Sequence, residues 1–258
     1  MVAVPVRRSW HVASLQYGAA FALLAGVSLG SSQMTVQRRR RIIMRQRSSV
    51  GLALVAGISF LAGMTDAIGL MSVGDFVSFM SGNTTRASVA LMQGDVARGA
   101  LLIGGLVTFV IGNAAGVVVA MRFRPQAVLL VVSVLLVCAA LLGDQRELRF
   151  LLLVLAMGAI NASVEQIEGL PVGLTYVTGA LSRFGRGLGR WAMGIRNTHL
   201  AIQIVPWLGM MAGAVLGAAL VQTVGNLAPW LAAAAALSLT SIAIQIPRRW
   251  QIRFVQHR

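Results

Sequence analysis

Asp66 is a carboxylate set deep in an apolar run, on a face shared with Ala56, Ser59 and Gly63 at helical spacing. Inside a membrane span a carboxylate costs about 2.5–3.5 kcal/mol, so it faces the bundle interior and holds a proton, a cation or a basic partner. A second reading places Asp66 near the outer interface, capping or hydrogen-bonding there. The stretch "FMSGNTTRAS", Phe79 to Ser88, raises the same question. Ser78, Ser81, Gly82, Thr85 and Ser88 share one helical face, and Asn83 and Thr84 lie on the neighbouring arc. Small residues and hydroxyls let helices approach closely and bond across them, which is packing. Asn83 and Thr84 add more polar groups than a contact needs, which points to a small-solute or ion site. Arg86 either reaches the inner headgroups or pairs with Asp66 or an anionic solute.

Enzyme chemistry fits poorly. The histidines, His11, His199 and His257, lie outside or at the edge of the apolar segments. There is no HExxH for zinc, Ser81 lacks the GxSxG spacing, and without lysine no phosphate loop of the usual kind forms. Cys138, the single cysteine, allows neither an internal disulfide nor a thiolate cluster. We expect no catalytic residue, no metal and no cofactor.

The elements that must position these residues follow from composition. The chain has 258 residues, 57% hydrophobic and 11% charged, against about 25% charged in soluble domains. Such a chain cannot cover itself with a water-facing surface, and one membrane domain is expected. Apolar segments run at about 50–71, 76–93, 99–121, 126–142, 149–164, 172–192, 203–222 and 228–246. The expected fold is an all-α polytopic bundle of about eight apolar helices, with six full spans plus two re-entrant or short ones as the alternative. The net charge is +15 and all 22 basic residues are arginine. They cluster at segment ends, as topology signals facing the cytoplasm and anionic lipid do, rather than on a nucleic-acid-binding module. "QRRRRIIMRQR" before the first span places the N-terminus inside, and eight crossings then also leave the C-terminus inside. Only "MRFRP", with Arg122 and Arg124, falls on the wrong side. Residues 1–48 read as a basic N-terminal extension or a misplaced start, 49–246 as the bundle and 247–258 as a basic cytoplasmic tail.

An internal repeat organises the bundle. Laying "FVSFMSGNTTRASVALMQG" on "VGLTYVTGALSRFGRGLGR" carries Ser78 onto Thr175, Phe79 onto Tyr176, Ser81 onto Thr178 and Gly82 onto Gly179. It also carries Thr85 onto Ser182 and Arg86 onto Arg183. "GMTDAIG" precedes the first copy as "MGAINAS" precedes the second, where Asn161 and, just beyond, Glu165 are further polar candidates. Gly112 and Gly116 follow one copy, and Gly209, Gly213 and Gly217 the other. The halves are about 50–142 and 149–246, parallel if each holds four spans and inverted if three.

The runs "GMTDAIGLMSVGDFVSFMSGNTTRASVALMQGD" and "MGAINASVEQIEGLPVGLTYVTGALSRFG" resemble the YoaK family of bacterial integral membrane proteins, which carry a domain of unknown function. The likeness covers about residues 50–246. It implies a bacterial inner-membrane protein and no substrate.

The expected function is small-solute or ion transport, the partners being the lipid bilayer and an unidentified solute or ion. Its binding set is Asp66, Ser78, Ser81, Asn83, Thr84, Thr85, Arg86, Asn161, Glu165, Thr175, Tyr176, Thr178 and Arg183, lying between the repeated hydroxyl helices. The alternative is a scaffold or partner-binding subunit whose small-residue faces only pack helices. Self-association through the glycine-faced helices is a further expectation.

Overall fold

A computed structural model describes residues 29–123, 125–162, 166–167, 170–171, 177–195 and 200–245. The N-terminal extension up to residue 28, Glu165, Thr175, Tyr176 and the basic tail lie outside the described residues. The chain divides into two compact units, Met1–Arg47 and Ser48–Arg258. In the first, the described residues 29–47 are helical; the second carries the apolar segments and everything discussed below.

The helices are α1 (Leu29–Ser72), α2 (Met80–Met92), α3 (Val96–Arg122), α4 (Pro125–Leu141), α5 (Arg146–Asn161), α6 (Val177–Ala192), α7 (Leu200–Val224) and α8 (Ala228–Gln245). A 3-10 turn, Gly225–Leu227, joins α7 to α8, and a two-residue ribbon pairs Gln166–Ile167 with Leu170–Pro171. Among the described residues, three stretches are long and apolar enough to cross a bilayer: Val50–Ser72, Val96–Arg122 and Gln203–Gln245, the last comprising two helices; Gln126–Leu141 is a shorter apolar helix. Helical hydrogen bonding is the only way such segments satisfy their backbone in lipid.

Burial sorts the helices into centre and flank. The apolar window of α1 is 61% buried, against 22% for α3 and 17% for the α7–α8 stretch. The other central helix is α5, with Phe150, Leu153, Val154, Met157 and Ile160 buried. Glycines let the flanking helices reach these two at backbone distance. On α3, a Cβ added at Gly112 would meet the Leu155 carbonyl oxygen, and one at Gly116 would lie 2.6 Å from that of Ala159. On α7, one at Gly209 would lie 2.8 Å from the Ala56 carbonyl oxygen, and those at Gly213 and Gly217 would meet the oxygens of Phe60 and Met64. Contacts rise in number together along both partners, so α3 runs parallel to α5 and α7 parallel to α1. From the other side, Gly63 meets the Met210 carbonyl and Gly158 that of Phe109. These glycines are therefore occupied within the chain.

The pair α4 and α8 pack on each other, and Val128, Val132, Leu136 and Ala139 of the one and Ala232, Ala233 and Ala236 of the other are buried. A buried hydroxyl pair, Ser133 Oγ to Thr240 Oγ1 at 3.1 Å, joins them.

The second apolar segment folds differently from a full span. Its helix has 13 residues, about 20 Å at 1.5 Å per residue, short of ~30 Å of hydrocarbon. The chain turns at Gly74, whose φ of +92° suits glycine, and returns alongside α1. Val77 lies against Gly69, and the Val77 and Ser78 amides reach Asp66. The segment then reverses, and α2 climbs back past it, with Asn83 beside Phe76 and Arg86 beside Asp75. Asp75, just past the end of α1, also meets Arg98 in the first turns of α3. The end of α1 and the start of α3 thus lie at the same end of the bundle.

Candidate functional site

The returning segment, residues 75–79, is where the polar residues converge. Asp66 Oδ1 accepts hydrogen bonds from the backbone N–H groups of Val77 and Ser78, both at 2.8 Å. The side chain is fixed by α1 packing and is 7% exposed. It sits just ahead of the N-terminus of α2, whose free amides favour a negative charge. Phe79 at that N-cap supplies no side-chain cap, and the amides that Asp66 accepts from lie just before the helix. Asn83, fully buried, donates from Nδ2 to the Phe76 carbonyl at 2.6 Å. Arg86 holds Asp75 Oδ1 at 3.3 Å and lies 5.9 Å above the Phe76 ring, which stands edge-on to Phe79. Asp66, Asn83 and Arg86 therefore all bind the same five residues.

Asp75 completes the arrangement. It is 1% exposed, and its Oδ1 accepts from Arg98 at 2.8 Å as well as from Arg86. Two arginines on one carboxylate offset the cost of burying it. Its Oδ2 is buried without a hydrogen-bond partner, as are Asn83 Oδ1, Ser59 Oγ and Thr65 Oγ1. Buried acceptors left open are costly and mark where a cation, a proton donor or water would be held.

The hydroxyl face is arranged otherwise than its spacing implies. Ser81, Thr84, Thr85 and Ser88 are exposed. Thr84, Thr85 and Ser88 each donate to the carbonyl four residues back, of Met80, Ser81 and Thr84. On α6, Thr178 is exposed and Arg183 half-buried. The helix α2 packs on α3 and α6 on α7, with no packed α2–α6 interface among the described residues. Ser81 and Thr178 are thus not brought together, because each short helix docks on the long helix that follows it. Asn161 closes α5 and is half-buried.

Arg86 pairs with Asp75 rather than with Asp66, whose bonded oxygen is taken by backbone amides. Sequence reasoning missed Asp75 and Arg98, which fall at the edges of the apolar segments 76–93 and 99–121. A signal was available: seven acids against 22 arginines make any acid beside an apolar segment a candidate for an arginine partner.

A family described as "Protein of unknown function (DUF1275)" matches residues 54–242. A curated relative from Rhizobium meliloti (strain 1021), a UPF0700 transmembrane protein, is 77% identical over 225 residues, covering 87% of this chain and all of the relative. No solved structure matches.

Proposed function

The chain belongs to the DUF1275 family, and we propose that it is a small-solute or ion transporter of the bacterial inner membrane, built from two inverted repeats. The observation that carries the reading is the convergence of Asp66, Asn83 and Arg86 on residues 75–79. An extended segment followed by a short helix, entering and leaving at one end of the bundle, is a re-entrant hairpin. Transporters place the ends of half-helices at their binding sites, and a carboxylate within a membrane span marks an ion or proton pathway. The carboxylate and the open acceptors Asn83 Oδ1 and Asp75 Oδ2 suit a cation or a protonated solute. The resemblance to the YoaK family brings no substrate with it.

The repeat reading is supported by the glycine contacts. The interval that carries Ser81 onto Thr178 also carries Gly112 onto Gly209 and Gly116 onto Gly213. A second constant interval carries their partners Ala56 and Phe60 onto Leu155 and Ala159. Each half thus lends its glycine-faced helix to the other half's polar-ended helix. With 73–92 and the matching α6 segment both re-entrant, six spans remain and the halves are inverted. Arg122 and Arg124 then face the cytoplasm together with both termini, while Arg98, Arg146 and Arg149 move to the outer side, so loop charge does not decide between six and eight crossings.

The test is thermal unfolding of the purified protein against a panel of inorganic cations and small solutes, repeated with Asp66→Asn. Transport predicts stabilisation by one compound class that Asp66→Asn loses while staying folded. A panel that moves neither protein speaks against the reading.

One observation favours the scaffold alternative. Three exposed hydroxyls of α2, Thr84, Thr85 and Ser88, satisfy themselves on their own helix, so they need no water and that face can meet lipid or another protein. With the glycine faces filled internally, it is the surface left for a partner or a second copy.

A further inference from the structure

We propose that the turn between α4 and α5 builds an oxyanion-binding site, with Arg149 and Arg146 as its cationic groups and a carboxylate or phosphate as its ligand. The site stands independently of the transport reading. A cavity of about 210 Å³ opens there between the end of α1, the first turn of α5 and the α7–α8 junction. Arg149 lines it and is only 9% exposed. Its guanidinium cannot lose its proton, and a buried charge needs a counter-charge.

None of the described acids supplies one. The ion pairs among the described residues are those of Asp75, although Asp144 lines the same cavity and Glu147 is in the same helical turn. One terminal nitrogen of Arg149 donates to the Gly143 carbonyl, and Nε is buried with no acceptor at all. The group is thus held in place with a donor to spare.

Three further features point to an anion. Arg146, exposed, lines the same cavity. The N-terminus of α5 faces the turn with its first amides unbonded within the helix, and Gln145 at the N-cap gives no side-chain cap. Asn226 adds an amide across the cavity, while Ile68 and Val221 form an apolar wall. The volume is below the roughly 300–1,000 Å³ of drug-sized pockets, so the ligand is compact. A free carboxylate or phosphate and the phosphate of an anionic phospholipid share this chemistry.

Thermal unfolding midpoints separate the sources. Detergent-purified protein is titrated with sodium phosphate and sodium acetate against sodium chloride of equal ionic strength. In parallel, the protein is measured in phosphatidylcholine nanodiscs with and without phosphatidylglycerol. We expect a saturable upward shift in the free-anion arm, or in the phosphatidylglycerol arm if the headgroup is the ligand. Arg149→Gln should abolish it and Arg146→Gln should weaken it. Arg146 is exposed, so its variant folds even if Arg149→Gln does not. No shift above the matched controls in any arm, or an undiminished shift in Arg146→Gln, overturns the proposal.

Discussion

Replacing Asp66 by asparagine and by alanine separates its charge from its role as an acceptor. Its Oδ1 takes two buried backbone amides at 2.8 Å. Hydrogen bonds to a charged group are worth about 1.5–3 kcal/mol each, and neutral ones about 1. Asp66→Asn keeps an acceptor in place, weakens both bonds by about 1–4 kcal/mol in total, and removes a buried charge costing about 2.5–3.5 kcal/mol. The two terms oppose each other, so it should lie within about 2 kcal/mol of the parent. Asp66→Ala is equally neutral but leaves both amides unbonded, so it should fall below Asp66→Asn by about 2 kcal/mol. Because both variants lack the charge, that difference does not depend on the burial term. Amide hydrogen exchange at Val77 and Ser78 reads it directly: about 30-fold faster in Asp66→Ala than in Asp66→Asn, at 1.4 kcal/mol per decade. Equal exchange in the two variants would mean that Asp66 does not anchor the returning segment.

Other positions give sharper contrasts. Gly63→Ala and Gly213→Ala place a Cβ on a neighbouring carbonyl and should lower the unfolding midpoint, at a cost of about 1–3 kcal/mol. Gly104→Ala, with nothing within 4 Å, should be neutral or stabilising through helix propensity. Arg86→Gln and Arg98→Gln should each be tolerated, since Asp75 keeps one arginine, while the double variant should lose more than the sum in a thermal double-mutant cycle. In a Cys138→Ser background, Ser81→Cys and Thr85→Cys should react with a water-soluble thiol reagent if α2 lines an aqueous path. If the face meets lipid, they should stay unreactive and favour the scaffold.

What was legible in the sequence were the groups that lipid makes expensive. Asp66, Asn83 and Arg86 stand out because polar atoms in an apolar run must be satisfied somewhere, and all three are used at one place. The glycines at 112, 116, 209, 213 and 217 announced close approaches through their spacing, but spacing does not say which helix approaches. The hydroxyl face of α2 was legible as a face and misread as a shared pocket, because a threonine satisfied by its own helix has the same spacing as one that reaches a neighbour. Asp75 was invisible for a different reason. Beside a glycine turn a solvated carboxylate is the default, and only the return of the chain along α1 buries it.

The account rests most heavily on the hairpin at 73–92, and the side of the membrane on which its two ends emerge tests that. Met71 and Gln93, both exposed, are replaced singly by cysteine in the Cys138→Ser background. They are then labelled with a membrane-impermeant maleimide in intact cells and in inside-out vesicles. The structure predicts that both are labelled from one and the same side, which is the outer side when the basic N-terminus is cytoplasmic. Labelling of Met71→Cys from one side and Gln93→Cys from the other would mean that α2 crosses the bilayer, and the re-entrant site and inverted halves would go with it.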